Sequence, residues 1–119
     1  MMKSLNRQKQ YMKNDKQYLR HINEAIETIE EYLQGISFDT FVSNKMIQDA
    51  IVRELEIIGE ASNNLSDDFR EEHVDIFWRQ IKDMRNFLIH EYFGVNLKTV
   101  WDTCKNDLPV LKKFISTII

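Results

Sequence analysis

At 119 residues, with 43% hydrophobic and 29% charged side chains, the chain has the size and balance of one globular domain, which excludes a disordered segment or a pair of domains. Three Gly and one Pro argue against a strand-and-turn fold, and a single cysteine rules out an intramolecular disulfide or a cysteine metal cluster, as suits a cytoplasmic protein. The net charge of −3 is uneven, with six Lys or Arg against one acid in residues 1–20 (+5) and ten basic against eighteen acidic side chains in residues 21–119 (−8), so bulk attraction for nucleic acid is excluded and any RNA contact must be local.

Residues 1–13 read as a basic N-terminal extension, frayed and solvated, and residues 14–119 as the single domain. From Asn14 to Gln34 the apolar positions Leu19, Ile22, Ile26, Ile29 and Leu33 step by 3, 4, 3 and 4, which predicts an amphipathic helix that Gly35 stops. Ile36 to Val42 reads as a connector. Ser43 or Asn44 then caps a second helix running to about Asn64, with a broad apolar set expected to make it the most buried. Within it, Gly59 costs up to about 1 kcal/mol and hints at a close helix approach. Ser66 to Glu72 reads as a short capped helix and His73 to Ile76 as a linker.

A further helix is predicted from Phe77 to Phe93, ended by Gly94. Asn96 caps the next, and Pro109 either kinks it or starts a new one from Asn106 or Asp107. No apolar run approaches the roughly 20 residues of a membrane span, and the N-terminus has no signal-peptide core. The expected fold is all-α, an antiparallel bundle of four to five main helices. Its apolar surplus, including Phe77, Trp78, Phe87, Phe93, Ile118 and Ile119, either fills one core or is covered in a homodimer.

The chemical content is concentrated in Arg85-Asn86-Phe87-Leu88-Ile89-His90-Glu91-Tyr92. Arg neutralises phosphate charge with a planar fork, His moves a proton near neutral pH, and Tyr offers an acceptor hydroxyl. Together they suggest metal-free chemistry on a phosphodiester, with no cofactor. Asn86 and His90 share a face, as do Arg85 and Tyr92, but Arg85 and His90 point roughly 140° apart on a regular helix. Either the last turn loosens or a second copy completes the site. In such a site a pair of His90 side chains would share the proton work, Arg85 would hold the phosphate, and Asn86 would orient His90 or bind a phosphate oxygen. DNA would be inert for lack of a 2′-hydroxyl.

On composition alone a plainer reading stays open: Arg85 as a surface partner of Asp83 or Glu91, and His90 as a helix-end histidine. Glu60 could pair with Arg53 or Arg85 and position the latter. His21 and His73 look like isolated surface residues, and Cys104 like a packing residue on a helix.

The order Ala50-Ile51-Val52-Arg53-Glu54-Leu55-Glu56-Ile57-Ile58-Gly59-Glu60-Ala61, Trp78-Arg79-Gln80-Ile81, Met84-Arg85-Asn86-x-x-x-His90-x-Tyr92, Val100-Trp101 and Asp107-Leu108-Pro109-x-Leu111 resembles the HepT-like branch of the HEPN superfamily. The resemblance runs from about Asn14 to the C-terminus. It implies an all-α HEPN-like bundle that dimerises with its motifs facing across the interface. It implies a metal-independent endoribonuclease, the toxin of a toxin–antitoxin pair, with Arg85 and His90 catalytic and Asn86 their polar companion. Tyr92 would accept AMP from an MntA-type nucleotidyltransferase antitoxin, placing an anionic nucleotide beside Arg85 and repelling RNA. The competing reading is a non-catalytic helical subunit that docks with the nucleotidyltransferase and presents a nucleotide or substrate to it.

Overall fold

The computed structural model describes residues 2–90 and 96–119, and the side chains of residues 13–86 and 96–119. The chain is all-α, and no strand occurs among the described residues. Helix α1 spans Met2–Leu33, so the basic extension and the first core helix form one continuous helix. Its predicted stripe is the buried one: Leu19, Ile22, Ile26 and Ile29 are at most 1% exposed, and Leu33 is 4% exposed. Gly35 ends it with φ +71, a left-handed turn that a side chain would strain.

The stretch read as a connector is instead largely helical. Helix α2 covers Phe38–Ser43, with Ser37 accepting from the Thr40 backbone N–H. At six residues it is too short to show a hydrophobic period. Phe41 is buried, and its ring lies 5.5 Å from that of Trp101, which ties α2 to the C-terminal part of the chain. Gln48 braces the corner that follows, its Nε2 donating to the carbonyls of Phe41 and Val42.

Helix α3, Lys45–Asn63, is capped by Asn44, whose side chain accepts from the Ile47 N–H. It packs most extensively on α1 and next on α5. Ile51, Leu55 and Ile58 are fully buried, but Met46 is 79% and Ile57 37% exposed. The breadth of its apolar set therefore exceeds what this chain covers, and α3 is not buried on every face.

Helix α4, Asp67–Glu72, begins at the expected cap, Ser66, whose hydroxyl accepts from the Phe69 N–H. After the linker comes α5, Trp78–His90. Its start is pinned by the Trp78 indole, which donates to the His73 carbonyl at 2.9 Å. The same indole packs edge-on against Phe69 and Phe114. The expected continuation of this helix to Phe93 and its end at Gly94 lie outside the described residues.

Asn96 caps α6, Leu97–Asp102, by accepting from the Lys98 and Thr99 N–H groups. At Pro109 an α-helix does start anew with Asp107 at its N-cap position, though without a break in the chain's helical course and without a side-chain cap hydrogen bond. A π-helical stretch, Thr103–Asp107, leads directly into α7, Leu108–Ser116, and the Leu108 N–H reaches back to the Thr103 carbonyl. The wider turn absorbs the proline, which has no N–H to give. Leu111 and Ile115 of α7 are fully buried, whereas Val110 stays 56% exposed.

Candidate active site

Arg85 sits where α5 crosses α3. Its Nη2 meets Glu60 Oε2 at 2.6 Å, with the two side chains 26% and 57% exposed respectively. The predicted pairing with Asp83 does not occur: Asp83 lies on the solvated side, 4.0 Å from Arg79. Of the two partners considered for Glu60, the structure selects Arg85. Arg53 remains exposed, and the pair is only half shielded from water.

Gly59 makes the crossing possible. A Cβ there would stand 2.5 Å from Arg85 Cβ, 2.9 Å from Cγ and 3.1 Å from Cδ. Contacts that short with atoms fixed to the opposing backbone would force the helices apart. The missing side chain at Gly59 is thus the slot for the Arg85 stem, and Glu60 receives its charged end. Among the described residues neither the buried Arg85 Nε nor the buried Ser62 hydroxyl, one turn further along α3, has a hydrogen-bond partner. The guanidinium is therefore held without being saturated.

Asn86 is exposed, the next position on α5. His90 is the last residue of α5, but its side chain lies outside the described residues, and so does Tyr92 altogether. Glu91, the other partner considered for Arg85, is also outside them. What the backbone does fix is register. The α-helix is continuous through His90, so positions 85 and 90 remain roughly 140° apart around its axis. The other arrangement considered, a loosened last turn before Gly94, falls on residues outside the described ones.

The remaining candidates fall into place around this crossing. His21 is exposed, as expected. His73 is not a lone surface residue: its ring lies 4.6 Å from that of Phe69 and 5.1 Å from that of Phe114. Cys104 is buried in the π-helical stretch, and burial pushes its thiol up to about 12, against a smaller lowering by Lys105. A thiol this hard to ionise is no nucleophile at neutral pH. Among the described residues no group of three His, Cys, Asp or Glu could hold a metal ion. No described helix is long and apolar enough to cross a membrane.

Asp15, the one acid in the basic segment, was not singled out by its chemistry. It is 5% exposed, and its carboxylate accepts from the Ser66 N–H at 2.8 Å and the Ser66 hydroxyl at 2.7 Å, docking the start of α4 on α1. Position 15 continues the buried stripe at 19, 22, 26, 29 and 33, a spacing that marks it as inward-facing.

An open cavity of about 670 Å³ lies away from Arg85 at the C-terminal end of α1. Glu27, Glu30 and Glu31 rim it, a poor setting for a phosphate.

Comparison with known proteins places this arrangement. Residues 22–118, which include the whole Arg85-to-Tyr92 segment, match the family described as ribonuclease HepT-like. The chain is 45% identical over 108 residues to the "Putative RNase" of Caldanaerobacter subterraneus subsp. tengcongensis, covering 91% of this chain and 96% of that one. It is 49% identical over 100 residues to the "Probable ribonuclease HepT" of Thermococcus cleftensis, covering 84% and 91%. A longer protein of Methanocaldococcus jannaschii, "Gamma-glutamylcyclotransferase and putative RNase", is 47% identical over 107 residues, 90% of this chain and 48% of that one. The chain belongs to the HepT-like ribonuclease family. No solved structure matches it.

Proposed function

We propose that this protein is a metal-independent endoribonuclease, the toxin of a toxin–antitoxin pair, with a composite active site assembled by two copies of the chain. The observation that carries this reading is the α3–α5 crossing: a glycine slot and a carboxylate hold Arg85 at the head of the Arg-x-x-x-x-His segment. The continuous register of α5 supports the two-copy arrangement, since one straight helix does not aim positions 85 and 90 at the same phosphate. Exposed Ile57, three residues before Glu60, supplies apolar surface beside the crossing for a second copy to cover.

In this reading one His90 takes the proton of a ribose 2′-hydroxyl, and the 2′-oxygen bonds to phosphorus. The bond from phosphorus to the 5′-oxygen breaks, and the His90 of the second copy protonates that oxygen. Arg85 binds the charge that builds on the phosphoryl oxygens. The products are a 2′,3′-cyclic phosphate and a 5′-hydroxyl. Transfer of AMP from ATP to the Tyr92 hydroxyl by an MntA-type nucleotidyltransferase, with pyrophosphate and the phenol proton leaving, would occupy the site with an anion and silence it.

Purified protein incubated with total RNA in EDTA should yield cyclic-phosphate ends. Arg85→Ala and His90→Ala should each cost on the order of 10²-fold or more in rate while keeping the helical circular-dichroism spectrum. Undiminished cleavage by either variant overturns the mechanism. Tyr92→Phe should show no AMP mass gain with the nucleotidyltransferase and ATP, and the same gain in that variant refutes the acceptor.

A further inference from the structure

A second feature adjoins the crossing. Gly59 and Ser62 of α3, Arg70 of α4, and Trp78, Arg79 and Lys82 of α5 line a groove of about 380 Å³. Among the described residues three cations meet here, against one lining acid, Asp83, in a chain of net charge −3. Residues 21–119 carry a strong excess of acid, so this concentration of positive charge is local.

The groove is built, not incidental. The Trp78 indole is fixed by its bond to the His73 carbonyl and by packing on Phe69 and Phe114. Arg70 is oriented by Asp67 at 2.6 Å, and α4 itself is docked through Ser66 on buried Asp15. Arg79 has only a loose 4.0 Å contact with Asp83, between side chains 91% and 68% exposed, which leaves its charge available. Lys82 stands one turn from Arg85 on α5, a rise of roughly 4.5 Å. Gly59 is common to both places: it lines the groove and accommodates the Arg85 stem.

We infer that this groove binds the phosphodiester backbone of single-stranded RNA next to the scissile linkage. The inference rests on the nuclease reading above and supplies what that reading lacks, a way for an acidic protein to engage RNA. Arg79 and Lys82 contact successive phosphates leading to Arg85, and Trp78 forms the rigid wall against which the strand lies. The groove is small enough to take about a nucleotide, so it guides the strand and does not read a long sequence.

The test measures binding of a single-stranded oligoribonucleotide by fluorescence anisotropy between 50 and 200 mM salt, in a His90→Ala background that leaves the RNA intact. Each phosphate contact contributes about 0.7 to the slope of log affinity against log salt. Arg79→Gln with Lys82→Gln should lower that slope by about 1.4, so the same rise in salt weakens the parent about sevenfold more than the double variant. Lys45→Gln, roughly 21 Å along α3 from Gly59, should leave the slope at the parent value.

A double variant with the parental slope overturns the groove, as does an equal loss in Lys45→Gln. Equally tight binding of a poly-glutamate peptide, dependent on Arg79 and Lys82, would mark a dock for an acidic protein and also overturn it. The two readings fail separately. Groove-dependent binding with no cleavage by the unmodified protein sinks the nuclease alone, and cleavage with an unchanged slope sinks the groove alone.

Discussion

Helix α3 has two working faces, and they are made differently. Toward α1 it presents Ile51, Leu55 and Ile58, all fully buried, in a core with Leu19, Ile22, Ile26 and Ile29. Toward α5 it presents a glycine, a half-exposed carboxylate and a buried hydroxyl without a partner among the described residues. The first contact removes apolar surface from water and supplies stability. The second is less extensive, and besides its packing it places one guanidinium. The contrast separates what keeps this protein folded from what would let it act.

Leu55→Ala is the strongest way to break that separation. It should cost about 2–5 kcal/mol, measured by urea unfolding, because the buried core around it collapses only in part. Activity normalised to the folded fraction should hold near the parental value. A folded Leu55→Ala protein without cleavage would show that the dry face also sets the site.

Gly59→Ala should do the reverse. The added methyl meets Arg85 Cβ at 2.5 Å, and the atoms it strikes belong to the base of the side chain, not its flexible end. Overpacking costs about 1–3 kcal/mol, and better helix propensity returns up to about 1 kcal/mol. Net destabilisation should be about 0–2 kcal/mol, yet cleavage should fall on the order of 10²-fold, since a displacement near 1 Å is enough to spoil a reacting geometry. Parental stability and activity in this variant would mean that the helices yield freely and that the slot has no role.

The two faces were also unequally legible in the sequence. The α1 stripe at 19, 22, 26, 29 and 33 is one-sided and regular, so its burial follows from helical period alone. Gly59 announced a close approach but not its partner, because period within one helix says nothing about which residue of another helix arrives. Arg85 and His90 stood out by residue type and by the order of family landmarks, while the Glu60 pairing needed the crossing itself. Helix α2 escaped notice because six residues hold less than two turns. Arg70 and Lys82 gave no signal at all, and Arg79 entered only within the Trp78-Arg79-Gln80-Ile81 landmark, with no role attached. They come from two helices, and a surface charge carries no periodic mark of its neighbours in space.

The smallest expected effect sharpens the comparison most. Glu60→Gln keeps a hydrogen-bond acceptor for Arg85 Nη2 and removes one negative charge. Glu60 is 57% exposed, so the ion pair is screened by water and its loss should change stability by less than about 1 kcal/mol. Affinity for RNA should move the other way. With the carboxylate gone, a phosphate near Arg85 meets a full positive charge, and binding should tighten, most clearly at low salt. A destabilisation approaching that of Leu55→Ala would make Glu60–Arg85 part of the structural core. Weaker RNA binding would mean instead that the carboxylate is needed to hold the guanidinium toward the strand.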